Sequence, residues 1–451
     1  MVCPKSNALQ TEAGLSYHPK IEINRGDTEL REHQSDATDE GVLTLTTNKT
    51  IKHRFMGRDH SFRLSHALFS SNSIDEGSEF LLKTVAQRIL SASDAGSDAS
   101  VTTVMDIGCG TGVLGISVAC RVPNARLFAR DRDALALAYT RRNAIENGVN
   151  PKSIDTRPAI LLDHEDRRAD VVLCNYPAKT GMPVMTEAIP WLASLCTPTG
   201  VVALVIVHTL ADDLERLLGE NELEITYEEH RARYSVYHFR RGSDAATDTL
   251  TPPDTGTETD TAAGAELPPP YIRVRKSTFS TVWGLPNFDQ PEFGLSLALK
   301  AVSSVKLQEP CLFWEPGQGH SAREYILSHR PEKGPLLAGR DLLALRVSAH
   351  NCRAVRREPR GVMCLASIVS LTGHVPEGSL ESLVVQWDPI PQCSMESEFW
   401  STASTLLHRG GTVLAWSAST HIHRLLEKNS GFALVSSRKA RGFRCVVLRK
   451  G

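Results

Sequence analysis

The stretch VTTVMDIGCGTGVLGISVAC, Val101 to Cys120, decides the fold of this chain of 451 residues. Val101 to Met105 is a short apolar, β-branched run that ends at Asp106, and glycines follow at 108, 110 and 112. Val113, Leu114, Ile116 and Val118 then recur with a helical period. The order is strand, turn, helix. The glycines let a backbone pass close to a ligand without Cβ clashes, and the helix start offers unpaired N–H groups. Such a turn on its own is shared by several nucleotide-binding folds.

A second predicted strand, Ala125 to Ala129, ends near Asp131, nineteen residues past Gly112. A carboxylate at that tip can accept both hydroxyl hydrogens of a ribose, so a nucleoside ligand is expected. A dinucleotide fits this much equally well. Asp170 to Cys174 reads as a further strand, and Asn175-Tyr-Pro-Ala-Lys-Thr-Gly181 begins just past its carboxyl end, where open α/β sheets hold their chemistry.

With DIGCGTG, the downstream Asp131 and Asp170-Val-Val-Leu-Cys-Asn-Tyr-Pro177 in one series, the chain resembles the class I S-adenosylmethionine-dependent methyltransferases. The resemblance implies S-adenosylmethionine as cofactor, with Asp106, Gly108, Cys109, Gly110 and Gly112 along its methionine and ribose side and Asn175 also in contact with it. Asp131 would hold the ribose, and Asp163 is a candidate for the adenine contact. NYPA also resembles the (Asp/Asn/Ser)-Pro-Pro-aromatic tetrapeptide of amino-group methyltransferases. There the Asn175 side-chain oxygen and the Tyr176 carbonyl would accept the two hydrogens of an exocyclic amine, with Pro177 shaping the turn, so that the nitrogen faces the methyl group in line. Two positions depart from that pattern. Tyr176 stands where the first proline would be, which is expected to loosen the turn or let Tyr176 stack on the base, and Ala178 stands where the aromatic residue would be.

LFSSNSIDEGSEFLL, NYPAKTG and RYSVYHFRR further resemble the small-domain methyltransferases of ribosomal RNA guanine N2, over His53 to Arg241. In that family Phe69 to Gly77 would close over the cofactor, and an active domain is joined to a degenerate one. The resemblance implies an RNA partner, ribosomal RNA, and no metal. Methylation of a protein amide or small-molecule amine, and a non-enzymatic RNA-binding or assembly role, are the alternatives.

Residues 1–41 are polar and acidic, and 242–270 contain no basic residue, so a disordered tail and a flexible linker are expected there. Strand-like and helical runs alternate in 42–241 and again in 271–451, which predicts an α/β chain of two tandem doubly wound, Rossmann-like methyltransferase domains, the first catalytic. DALALAYTRRN (Asp133 to Asn143) is echoed by DLLALRVSAHN (Asp341 to Asn351), and DIGCGTG by Glu315-Pro-Gly-Gln-Gly-His-Ser321, which points to duplication. That pairing sets Ser321 opposite Gly112, Gly339 opposite Asp131 and Trp387 opposite Asn175, so the second copy is expected to have lost ribose binding and catalysis.

The chain carries a net charge of −2, but residues 271–451 hold 23 Lys and Arg against 14 Asp and Glu. The basic segments Tyr271 to Lys276, Arg353 to Arg360 and Arg438 to Arg444 suit an RNA grip through phosphates. The ten cysteines form no C-x-x-C pair, which argues against a zinc site or a disulfide framework. No run reaches the roughly 18 apolar residues of a membrane helix, and no secretory signal opens the chain, so a cytoplasmic monomer without a membrane partner is expected.

Overall fold

The structure is a computed structural model that describes residues 40–91, 101–122, 124–242, 265–276 and 278–451. The tail expected over 1–41 lies outside the described residues except for 40 and 41, which open a short helix over 40–46. Most of the expected linker also lies outside them.

A hairpin of β1 (Lys49–Phe55) and β2 (Arg58–Leu64) precedes the first sheet. That sheet holds β3 (Thr103–Ile107), β4 (Arg126–Asp131), β5 (Ile154–Pro158), β6 (Ala169–Asn175), β7 (Cys196–Val207), β8 (Leu223–His230) and β9 (Tyr234–Arg241) in the order β5-β4-β3-β6-β7-β9-β8. The first five are parallel, and β9 runs antiparallel to β7. Helices covering both faces explain why β3 and β6 are apolar without alternation. The chain leaves β3 toward β4 and β5, then returns to the other side at β6. A crevice therefore opens at the carboxyl ends of β3 and β6.

A second hairpin, β10 (Ile272–Lys276) with β11 (Phe279–Val282), precedes the second sheet. That sheet is built from β12 (Cys311–Trp314), β13 (Leu336–Gly339), β14 (Gly361–Cys364), β15 (Leu380–Gln386), β16 (Leu407–Ala418), β17 (Phe432–Ala440) and β18 (Phe443–Lys450). Its order, β14-β13-β12-β15-β16-β18-β17, is that of the first sheet. Small details repeat as well. Asn143 accepts from Arg63 N and donates to the Arg63 and Thr111 carbonyls, while Asn351 accepts from Ser280 N and donates to the Ser280 and Gln318 carbonyls.

The register between the halves differs from the one read in the sequence. Gly112 caps its helix at φ 85, and its counterpart is Gly319 at φ 86, not Ser321. Thr140 donates to the Gly110 carbonyl as Ser348 donates to that of Gly317, both at 3.0 Å. Glu315 therefore stands opposite Gly108, and Phe313 opposite Asp106. At the next strand, Tyr176 N donates to Val205 O and Trp387 N to Trp416 O, so Asn175 corresponds to Gln386 rather than Trp387.

The two sheets meet with the carboxyl ends of their strands toward each other. Ala134 N donates to Arg340 O at 3.0 Å and Leu342 N to Arg132 O at 2.8 Å. Arg340 pairs with Asp133 at 2.6 Å, and Arg132 with Asp341 at 3.3 Å. Each contact has its mirror, the reciprocity of a two-fold interface. The contact is also apolar: Ile160, Tyr176 and Met185 share one buried cluster with Tyr271, Val282, Leu342 and Val347. Leu267, within the stretch expected to be linker, is buried in the same cluster, so the flexible segment cannot extend to it.

Candidate active site

The glycine turn forms as its residues require. Gly108, Gly110 and Gly112 have φ of 75, 57 and 85, the left-handed region that a side chain resists. A Cβ on Gly112 would also crowd the end of the Ile116 side chain at 2.5 Å, which can shift, so it is the positive φ that closes this position to larger residues. The turn is tied to β4, since Gly108 N and Cys109 N both donate to Arg130 O and Gly110 N donates to Asp131 Oδ2 at 2.9 Å. Cys109 is buried toward Ala129 and Leu137, its thiol accepting from Thr140, so it offers the site its main chain only.

Asp106 lies beneath the turn. Its Oδ2 accepts from Gly115 N at 2.8 Å, whereas Oδ1 is buried with no partner among the described residues. Burial, with Asp131 nearby, raises its carboxyl to about 7 despite the Gly115 bond. Burial likewise raises Asp131 to about 6, although both of its oxygens accept backbone N–H groups. An unpartnered buried carboxylate oxygen beside a second acid suits a ligand that brings a cation and hydroxyl donors.

Asn175 ends β6 one residue past the pair Ile107–Cys174, beside the start of the turn. Its Nδ2 donates to Asp75 Oδ1 and to Ser78 Oγ, each at 3.1 Å. An ionised carboxylate can only accept, so the amide is oriented with its NH2 toward Asp75 and its oxygen Oδ1 away from it. Oδ1 has no donor among the described residues. Asp75 itself caps the helix Glu76–Val85, taking Ser78 N at 3.0 Å. Sequence reading missed Asp75 and Ser78 as site residues; the visible sign was an acidic cap before an apolar helix, within the segment expected to close over the cofactor.

Tyr176 does not stack on anything in the crevice and does not loosen the turn. Its ring is buried in the core, its N–H holds Val205 O, and its hydroxyl meets Thr180 Oγ1 at 3.0 Å. Pro177 is exposed, and its carbonyl accepts from Thr180 N, which closes the turn from the other side. The Tyr176 carbonyl accepts no hydrogen bond among the described residues. Asp163 is not free to take an adenine: both of its oxygens bind the guanidinium of Arg346 from the second half, and Ile160 N adds a third bond. At the end of the loop that follows Asn175, Gly181 (φ 84) lies against the Trp283 ring, where a Cβ would come within 2.5 Å of a ring carbon. The second half therefore packs against this loop.

Every cysteine among the described residues is free, with Cys109, Cys174 and Cys445 buried and Cys120 partly exposed. In the basic segment after residue 270, Tyr271 is core, and Arg273 covers Trp283 and Phe288, leaving Arg275 and Lys276 exposed. Among the described residues, no helix is long and apolar enough to cross a membrane.

Residues 59–238, from β2 to β9, match the family described as methyltransferase small domain. Over 175 residues the chain is 32% identical to a ribosomal RNA large subunit methyltransferase G of Photobacterium profundum, covering 37% of this chain and 44% of that protein. Over 127 residues it is 28% identical to a ribosomal RNA small subunit methyltransferase C of Mannheimia succiniciproducens, covering 28% of this chain and 34% of that protein. The matched region thus spans less than half the length of these relatives. Among solved structures, the T. Thermophilus 16S rRNA N2 G1207 methyltransferase in complex with AdoMet and guanosine superposes with a TM-score of 0.56 at 14% identity, over 90% of this chain and 99% of that one, a likeness of fold across both sheets. The turn, the acid at the tip of β4 and the Asn at the end of β6 all fall inside residues 59–238, the region that matches the methyltransferase small-domain family.

Proposed function

We propose that the first half is an S-adenosylmethionine-dependent methyltransferase acting on an exocyclic amine of RNA, guanine N2 of ribosomal RNA. The observation that carries this reading is the tethered amide of Asn175, whose Oδ1 stays open beside the glycine turn because Asp75 and Ser78 occupy its NH2. The cofactor, when bound, supplies a methyl group on a positively charged sulfur. The residues present fit it: Asp131 for the ribose hydroxyls, the main chain of Gly108 to Gly112 for close approach, and the unpartnered Oδ1 of Asp106 for a cationic donor.

Asn175 Oδ1 and the Tyr176 carbonyl accept the two amine hydrogens and point the nitrogen lone pair at the methyl group. An aryl amine is a poor nucleophile because its lone pair is delocalised into the ring, so orientation and pyramidalisation supply the rate. The nitrogen loses one proton to solvent after transfer, and no strong base is needed. Phe69 supplies the aromatic face that position 178 lacks. It is 74% exposed and adjoins Ser70, whose hydroxyl lies 3.4 Å from Asp75 Oδ2. The target base must leave its stack to reach this site.

The second half we read as a duplicated, non-methylating domain that grips RNA. Exposed Arg438 and Lys439 on edge strand β17 suit phosphates. The relatives named above as ribosomal RNA methyltransferases support the substrate class.

The test is methyl transfer from labelled cofactor by the full chain to ribosomal RNA lacking its methyl marks, followed by digestion to nucleosides. N2-methylguanosine, lost in Asn175→Ala, is the expected outcome. Label on protein or small amines instead selects the alternative substrates, and absence of any cofactor binding overturns the reading.

A further inference from the structure

A cleft of about 990 Å³ opens at the carboxyl ends of the second sheet, walled on one side by Ala67 and Asp133 of the first half. Its floor repeats the first site. Gly317 and Gly319 keep the φ values of Gly110 and Gly112, 57 and 86 against 57 and 85. Gln386 brings a side-chain amide to the position of Asn175 and lines the cleft.

The ribose-holding carboxylate is absent from its own position, which is Gly339, yet a carboxylate is present at that place. It comes from Glu315, opposite Gly108. Glu315 Oε1 accepts from Arg340 N at 2.9 Å, and Oε2 lies 3.2 Å from where a Cβ on Gly339 would be. The loss of a side chain at 339 and the gain of one at 315 compensate in space. Three further features point the same way. Glu315 holds a left-handed φ of 53, a conformation that glycine adopts freely and glutamate does not. Its Oε2 accepts no hydrogen bond among the described residues, and Trp387, also on the cleft wall, has a buried Nε1 without a partner.

From this geometry we propose that the second cleft binds a nucleoside, with Glu315 accepting the hydrogens of the ribose 2′,3′-diol and Trp387 and Gln386 facing the ligand from across the crevice. Phe313 stands where the first site has Asp106, so the acceptor for a charged amino-acid tail is missing and an uncharged nucleoside is the favoured class. This site is separate from the methyl-transfer site and does not depend on that activity.

The experiment measures nucleoside binding by calorimetry and tryptophan fluorescence on the full chain, with adenosine as the counted probe and S-adenosylhomocysteine as a competitor for the first site alone. Two nucleosides per chain are expected, falling to one in Glu315→Gln with methyl transfer retained. Asp131→Ala, which removes the first site's diol acceptor, is expected to keep one site, and Asp131→Ala with Glu315→Ala none. A 2′,3′-dideoxynucleoside should bind this remaining site at least tenfold more weakly. Stoichiometry of one in the parent chain, or binding to Asp131→Ala unchanged by loss of Glu315, overturns the proposal.

Discussion

Asp75 does two separable things, and one substitution divides them. Its Oδ1 caps the helix Glu76–Val85 through Ser78 N at 3.0 Å and, at 3.1 Å, fixes the Asn175 amide. Serine caps helices about as well as aspartate, but its hydroxyl is one bond shorter and does not reach Asn175. Asp75→Ser should therefore leave unfolding free energy within about 0.5 kcal/mol of the parent, whereas Asp75→Ala should lose about 1 kcal/mol more. A hydrogen bond to a charged group contributes about 1.5–3 kcal/mol, and each 1.4 kcal/mol of barrier is tenfold in rate. With the Ser78 contact retained, kcat should fall about tenfold in Asp75→Ser and approach a hundredfold loss when Ser78→Ala is added. The assay is steady-state methyl transfer beside urea unfolding and cofactor binding. Binding and KM should hold while kcat falls, because Asp75 acts through Asn175 and touches no substrate. A variant that turns over at the parental rate, or that raises KM alone, refutes the tether.

The acids of the first site give a pH test. Burial raises Asp106 to about 7 and Asp131 to about 6, so both gain protons as pH falls through those values, and a cationic cofactor then loses its counter-charges. Affinity for S-adenosylmethionine should weaken by about tenfold per unit below the lower value for each carboxylate that must be ionised, and calorimetry giving a flat profile down to about pH 5 would contradict the assignment. Across the halves, Arg346 is 3% exposed and held by Asp163. Arg346→Met should cost about 3–5 kcal/mol by stranding the acid, while the double variant Arg346→Met, Asp163→Leu recovers most of it; denaturant midpoints that simply add would show the two groups to be uncoupled. Phe69→Ala should raise KM for RNA about tenfold, since a base stacked on an aromatic ring gains about 1–3 kcal/mol, and should leave cofactor affinity alone. Unchanged KM removes Phe69 from the substrate site.

What the sequence made legible was local. DIGCGTG is readable because three glycines in seven residues need positive φ, and Asp131 because a strand, a helix and a second strand fix its distance from the turn. Contacts between segments far apart in the chain were not readable. Asp75 and Asn175 lie a hundred residues apart, and only the packing of the helix Glu76–Val85 against the sheet brings the cap to the amide. The register of the second half was misread for a physical reason. An acid followed by a glycine turn looks alike whether the acid ends a strand, as Asp106 does, or stands within the turn, as Glu315 does. Alignment on the carboxylate shifts the turn by two residues, and alignment of Pro177 with Pro389 separately shifts the amide of Gln386 by one. Tyr176 was misread because a family pattern with proline there says nothing about an N–H that this sheet uses to bind Val205 O.

The reciprocal interface also decides how the chain can be dissected. Isolated at residue 241, the first half would lose Leu267, Tyr271, Val282, Leu342 and Val347 from a cluster that includes Tyr176, Val184 and Met185, the residues under and behind the loop that follows Asn175. It would also leave Asp163 without Arg346 and Asp133 without Arg340, two acids near the crevice stripped of their counter-charges. Each effect pulls on the loop that follows Asn175 or on the end of β4 that carries Asp131. A fragment of that kind failing to bind cofactor reports a collapsed crevice as readily as a wrong ligand. Point variants in the full chain do not share this ambiguity: Asp131→Ala and Glu315→Ala each empty one diol site without cutting the core that shapes both, so binding lost in either one reads directly on its own crevice.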